Sequence, residues 1–280
     1  MLKVNAALGA GLLAVLAAAA SPASAAQCDH KGGFDGFLAD YKKEAAAQGI
    51  SQRGLAALNG VTFDDAVIAA DHRQHVFDQS FEQFSGRMIS KSRFAIGQKM
   101  MLVHASMLQR IEQQFSVPGA VLVAIWGLET DYGVVHGKRS IIRSVATLAF
   151  DCRRSDKFQA ELTSALRIVD RGDMMPEQMV GEWAGEIGQT QFLPASYDKY
   201  AVDYDGDGRR DLIASVPDVL ASTANYLKGH GWQRGLGWGP SEPNFEVIKA
   251  WNRADVYART IALFAERLDG KTPPDKRAQK

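Results

Sequence analysis

The sequence predicts a mainly α-helical protein with few, short strands, and three observations lead there. Apolar residues recur at helix spacing between Phe34 and Phe115. The segment from Gly119 to Tyr132 is apolar nearly all the way round, the pattern of a helix buried in the middle of a domain. No internal repeat or low-complexity linker interrupts the chain, so one unit of about 250 residues, divided into lobes around a cleft, is expected.

The N-terminus reads as an export signal over residues 1–25. Lys3 supplies a positive start, Ala7 to Ala20 an apolar run, and Ala23-Ser24-Ala25 a small-x-small cleavage site. The run is shorter than the roughly 20 residues that span a bilayer, and Ser21-Pro22 ends it, so no stable membrane anchor is expected. Gln27 before Cys28 argues against a lipidated cysteine. Cys28 and Cys152 are the only two cysteines; in an exported protein such a pair is expected to form a disulfide, two free thiols being the alternative.

In the first helical stretch Phe37, Leu38 and Tyr41 mark one helix face, and Leu55 and Leu58 another. Ser51 offers an N-cap after Gly49, and Met100 to Ile111 forms one long amphipathic run. Pro118 opens the buried segment at a helix start, where its missing N–H is harmless, and Gly133 supplies a stop. Further helices are expected over 158–171, 217–229 and 254–268, and the tail 271–280, with two prolines, as disordered. Lys+Arg and Asp+Glu are equal at 32 each, so no net field draws the chain toward nucleic acid. The histidines show no metal-like clustering beyond His72 and His75 at i, i+3.

Three segments carry chemistry. Glu129 ends the buried helix, and burying a carboxylate raises its pKa, which keeps a general acid protonated near neutral pH; a solvent-pointing glutamate is the alternative. Gly185 to Pro194 is a glycine-punctuated loop holding Gln191 and Phe192. Nine residues beyond it, Asp203, Asp205, Asp207 and Asp211 occupy positions 1, 3, 5 and 9 of a calcium-type loop. Gly208 stands at position 6 and the Arg209 carbonyl at position 7. Position 12 is Ala214, not glutamate; Asp218 lies slightly further on.

The runs IWGLETDYG, GEIGQTQFLPASYDKYAVDYDGDGRRDL and ANYLKGHGW resemble the signature segments of the B-type lytic murein transglycosylases, glycoside hydrolase family 103, and the similarity extends from about Phe34 to Leu268. The resemblance implies a lysozyme-like core (117–270) with an EF-hand-like calcium loop and a flanking helical lobe (26–116), together forming a catalytic unit over 26–270. It implies Glu129 as a single acid-then-base, acting on peptidoglycan glycan strands in the periplasm. The product is a 1,6-anhydromuramic acid end, with a hydrolytic muramidase or a non-catalytic binding protein as alternatives. It implies structural calcium held by Asp203, Asp205, Asp207, Arg209, Asp211 and a displaced Asp218.

Further cleft positions match family motifs. Gln191 is placed to bond glycan polar groups or to brace its loop, and Phe192 to pack on a sugar face. Arg153 and Arg154 suit acidic lactyl and peptide groups, or form a solvated pair. Tyr226, Trp251, Asn252 and Tyr257 either line the cleft or fill their helices' core. One departure stands out: Glu182 occupies a position where some relatives carry a small hydroxyl residue, and it would add a second carboxylate if it entered the cleft.

Overall fold

A computed structural model describes residues 30–73 and 79–270. The expected signal segment, Cys28, His75 and the tail 271–280 lie outside the described residues. The mainly α expectation is borne out. Helices α1 (Gly33–Ala47), α2 (Gln52–Ala56), α3 (Asp65–His72), α4 (Phe81–Met88), α5 (Lys91–Val103) and α6 (Ala105–Phe115) precede the central α7 (Gly119–Thr130). Two-residue strands β1 (Arg139–Ser140) and β2 (Val180–Gly181) pair antiparallel, with α8 (Ile141–Phe150) and α9 (Ser155–Arg171) between them. The chain continues through α10 (Pro194–Tyr200), α11 (Val216–Gly229), α12 (Phe245–Trp251) and α13 (Asp255–Leu268).

Helix α7 explains its own sequence. It packs against α5, α6, α11 and α13, so no face of it meets water, and every residue from Gly119 to Leu128 is buried. Leu122 and Ile125 are 0% exposed; full burial of such a side chain contributes roughly 1.5–3 kcal/mol. One apolar cluster joins Phe37 and Tyr41 of α1, Ile111 of α6, Val121 to Trp126 and Leu128 of α7, and Ile261 and Phe264 of α13. The helices on either side of residue 116 therefore share a single core.

Two local expectations shift. The run expected to continue from Met100 to Ile111 is broken at His104, whose φ of −103° and ψ of 13° separate α5 from α6, with its ring 5.9 Å from Trp126. The stop expected at Gly133 comes earlier. Asp131 already adopts the left-handed conformation at φ 50°, and Arg93 holds its carboxylate through a bond of 2.6 Å. Tyr132 follows at φ 61° and donates its hydroxyl to the Arg93 carbonyl at 2.7 Å. An ion pair from α5 thus stabilises a turn that a β-carbon disfavours. Ser51 caps α2 as expected, accepting from the Arg53 N–H.

Candidate active site

Glu129 occupies the last turn of α7, the one place on that helix where a polar side chain finds an opening. Its Oε1 accepts two hydrogen bonds, from Trp251 Nε1 at 2.9 Å and from the Tyr257 hydroxyl at 3.0 Å. Among the described residues Oε2 has no protein partner, which makes it the oxygen free to carry a proton into the cleft. Burial pushes the Glu129 carboxyl up from 4.5 to about 7. The two donors pull it back, and the charge of Glu186 pushes it up further. Burial and the adjacent Glu129 likewise hold the Tyr257 phenol well above its ordinary range, so it remains a donor.

The cleft in front of Glu129 has a volume of about 590 Å³. Arg154, Lys157 and Phe158 of the α9 end form one stretch of its lining, Trp183 to Glu186 another, and Gln191, Tyr226, Trp251 and Asn252 much of the remainder. A larger cavity of about 750 Å³ lies elsewhere, between α6 and the 234–238 loop. Glu129 is not among its lining residues, and its size does not make it the site of the chemistry.

A tight turn positions the middle of the cleft. Ile187 and Phe192 bridge antiparallel through bonds of 2.7 and 3.0 Å, and Gln191 between them takes the left-handed conformation at φ 56°. A non-glycine residue held there is the kind of local strain that a surrounding structure must over-determine. Part of the restraint is the residue's own amide, which donates from Nε2 to the Gly188 carbonyl at 2.9 Å. Both readings of Gln191 therefore apply, since it braces its loop through Nε2 while lining the cleft. Gly188 sits at φ 71°, and a β-carbon there would stand 2.1 Å from the Leu212 carbonyl oxygen, so only glycine lets the turn approach the next loop.

Gln189, which sequence reasoning passed over, ties this turn to the end of α7 on either side of Glu129. Its Oε1 accepts from Trp126 Nε1 at 2.8 Å, its Nε2 donates to the Ile213 carbonyl at 2.8 Å, and its carbonyl accepts from the Thr130 hydroxyl at 2.5 Å. The residue is buried, so each unmade bond would cost about 1–3 kcal/mol. Its place inside the turn motif was visible; its partners, far away in sequence, were not.

The other expected residues divide. Phe192 is 2% exposed and lies in the cleft floor, edge-on to Tyr226 and Trp251 at 5.8 and 5.4 Å. Tyr226 donates its hydroxyl to the Ala250 carbonyl at 2.8 Å, which fixes its ring at the cleft wall. Asn252 lines the cleft and caps the following turn, its Oδ1 accepting from the Ala254 N–H at 3.0 Å. Tyr257 is not among the lining residues: it is buried beside Glu129 as a hydrogen-bond donor, so it presents no face for a sugar. Arg153 also falls outside the lining, because it ion-pairs with buried Asp71 and with Asp151 at 3.2 Å. Arg154 shares Asp71 yet does line the cleft, stacked 5.0 Å over the Phe158 ring. His72 groups with Asp71 and Asp151, but the arginines already neutralise Asp71.

Glu182, singled out as a possible second carboxylate, does not line the cleft. Glu186 does. Its Oε2 accepts from the Ala184 N–H at 3.1 Å, and burial raises its pKa.

In the acidic loop, carboxylate oxygens of Asp203, Asp205 and Asp207 lie within 4.8 Å of one another, all exposed. Gly208, at φ 90°, turns the loop, and its N–H meets Asp203 at 2.8 Å. These converging oxygens fit a hard cation that takes oxygen ligands. Asp211 instead accepts from the N–H groups of Ile213 and Ala214 through Oδ1. Asp218 is 0% exposed and stands apart from the cluster. Its two oxygens accept from the backbone of Tyr204, Asp205 and Asp211, which makes it the brace that closes the loop.

This constellation has relatives. Residues 33–242 match the transglycosylase SLT domain. The chain belongs to that family. Over 129 residues it is 42% identical to the membrane-bound lytic murein transglycosylase B of Escherichia coli strain K12. That match covers 46% of this chain and 36% of the relative, so it spans little more than a third of the relative's length. The fold superposes on SltB3 of Pseudomonas aeruginosa, solved in complex with NAG-anhNAM-pentapeptide, with a TM-score of 0.80 and 31% identity, covering 86% of this chain and 80% of that one. The Escherichia coli lytic transglycosylase Slt35, solved in complex with calcium, shares the fold at a TM-score of 0.73 and 24% identity, covering 84% and 93%. The resemblance read from the motifs is borne out at the level of family and fold.

Proposed function

We propose that the protein is a peptidoglycan lytic transglycosylase in which Glu129 serves first as acid and then as base. One observation carries the reading: a carboxyl pushed to about 7 at the wall of a glycan-sized cleft, with Oε1 held by Trp251 and Tyr257 and Oε2 open. The protonated Oε2 gives its proton to the glycosidic oxygen between N-acetylmuramic acid and N-acetylglucosamine, and the C1–O bond breaks. The two donors on Oε1 then stabilise the carboxylate that forms, and the substrate's N-acetyl group stabilises the oxocarbenium-like centre. The carboxylate takes the proton of the muramic 6-hydroxyl as O6 closes on C1. Ordinary glycosidases bring a second carboxylate and a water to this step; ring closure needs neither.

Gln191, Phe192, Tyr226, Trp251 and Asn252 would line the sugar subsites, with Arg154 facing acidic substituents. Calcium would be held by Asp203, Asp205 and Asp207, with the Arg209 carbonyl and Asp211 as the further ligands the loop spacing suggests, and Asp218 bracing the loop. When bound, the ion neutralises the clustered carboxylates and fixes the loop between the Gln191 turn and α11. We infer export from the N-terminal segment, toward the compartment that holds peptidoglycan; among the described residues no helix is long and apolar enough to cross a membrane.

Mass spectrometry of muropeptides released from purified sacculi tests the reaction. The expected products carry 1,6-anhydromuramic ends, lighter by one water than hydrolytic ends. Release of reducing ends alone would overturn the assignment.

A further inference from the structure

Glu186 has no role in the single-acid reaction, yet it shares the cleft with Glu129. The two carboxyls come from different elements, Glu129 from the end of α7 and Glu186 from the segment leading into the 187–192 turn. Glu186 is held by backbone: Oε2 accepts from the Ala184 N–H, and the half-buried side chain lines the cleft.

Their surroundings differ in a way that separates their states. Glu129 is half-buried like Glu186, receives two side-chain donors at Oε1, and is pushed up by burial and by the charge of Glu186. Glu186 is raised by burial too, and by Glu182. It is drawn back by two backbone N–H groups, its own and that of Ala184, and by the ammonium of Lys157, which lines the same cleft as Arg154 and Arg253. Two carboxyls whose environments differ in this way are the arrangement that divides acid and base roles between a pair. A second carboxylate facing a sugar's reacting carbon is also what lets water compete with an internal hydroxyl.

We propose that Glu186 gives this cleft a second, hydrolytic activity, acting as the base that delivers water to the same muramic C1 that the 6-hydroxyl otherwise captures. The proposal rests on Glu129 being the acid. In this branch Glu129 protonates the departing oxygen and the C1–O bond breaks. Water forms the new bond to C1, and its proton passes to Glu186. The glycan gains one water, a reducing muramic end forms, and solvent returns the proton from Glu186 to Glu129. One cleft then yields two ends, and the partition between them depends on whether water beside Glu186 or the sugar's own O6 reaches C1 first.

The test is the ratio of reducing to anhydro ends released from sacculi by the full chain, after subtracting an enzyme-free control, for the parent, E186Q and E129Q. The glutamine keeps an oxygen for the Ala184 N–H but cannot take a proton. The expected result is both ends from the parent and a ratio at least about tenfold lower in E186Q, within the range a general base contributes. E129Q should release neither. Because the readout is a ratio, a slower or less stable E186Q does not mimic the effect, and E186D, which keeps a basic oxygen, should restore part of the reducing product. A parent that releases anhydro ends alone, or an E186Q ratio equal to the parent's, would overturn the hydrolytic role and leave the transglycosylase reading standing. Activity persisting in E129Q would instead remove the acid on which both depend.

Discussion

The end of α7 and the loop at 203–218 use the same functional group under opposite conditions. Glu129 is a carboxyl at the end of a helix walled in by four others, with a carboxylate as its electrostatic neighbour, and it is carried to about 7. Asp203, Asp205 and Asp207 are exposed, clustered within 4.8 Å, and wrapped by backbone N–H groups. Burial without a cation produces a proton donor, whereas clustering in water produces a place for a cation. The loop's own buried member, Asp218, makes the same point from the other side: enclosed, it satisfies its oxygens with backbone donors and closes the loop.

The largest effect should come from removing the proton at the buried site. Glu129→Gln keeps the shape and an oxygen for Trp251 and Tyr257 but cannot protonate a leaving group, so steady-state glycan cleavage should fall by about 10²–10⁴. The same variant should be more stable than the parent in alkali. Glu129 is raised from 4.5 to about 7 on folding, so its contribution is fully present below 4.5 and lost as pH rises through 7. Thermal melts should give E129Q an advantage approaching about 3 kcal/mol at pH 8 that vanishes by pH 4. Equal stability of the two proteins across that range would mean that the buried carboxyl is not held in its neutral form.

At the exposed site the expected effect is on stability alone. Calcium at a hundredfold excess over its Kd should stabilise by about 2.7 kcal/mol. Asp203→Ala with Asp207→Ala should abolish that increment in Tm while leaving the Glu129-dependent pH profile in place. A melting curve indifferent to calcium and chelator would remove the cation from the comparison and leave the loop as a hydrogen-bonded turn.

What was legible in the sequence follows the range of the contacts involved. The apolar periodicity of 119–130 and the lone carboxylate at its end are local, and they pointed to α7 and Glu129. The three-aspartate spacing of the loop is local too. The partners of Glu129 are not: Trp251 and Tyr257 lie 122 and 128 positions away, and no pattern around either residue says that both will meet one oxygen. The sequence accordingly leaves Tyr257 between a cleft-lining ring and a core residue, and says nothing of its bond to Glu129. Gln189 was missed for the same reason, since it joins residues 63 positions before it and 24 after it. Glu186 was passed over in favour of Glu182 because their four-residue separation decides which one enters the cleft only once the 187–192 turn has formed. The stop at Asp131 depends on Arg93, 38 positions upstream, where a glycine rule looks only to Gly133.

The most direct test of the account is titration of Glu129 itself, by infrared difference spectroscopy of the carboxyl band between the parent protein and E129Q across pH 4–9. The band assigned to the neutral carboxyl should persist through pH 6 and give way to the carboxylate with a midpoint at about 7. A midpoint close to 4.5, the ordinary value for a glutamate, would contradict the claim that burial at the end of α7 holds this residue ready as an acid.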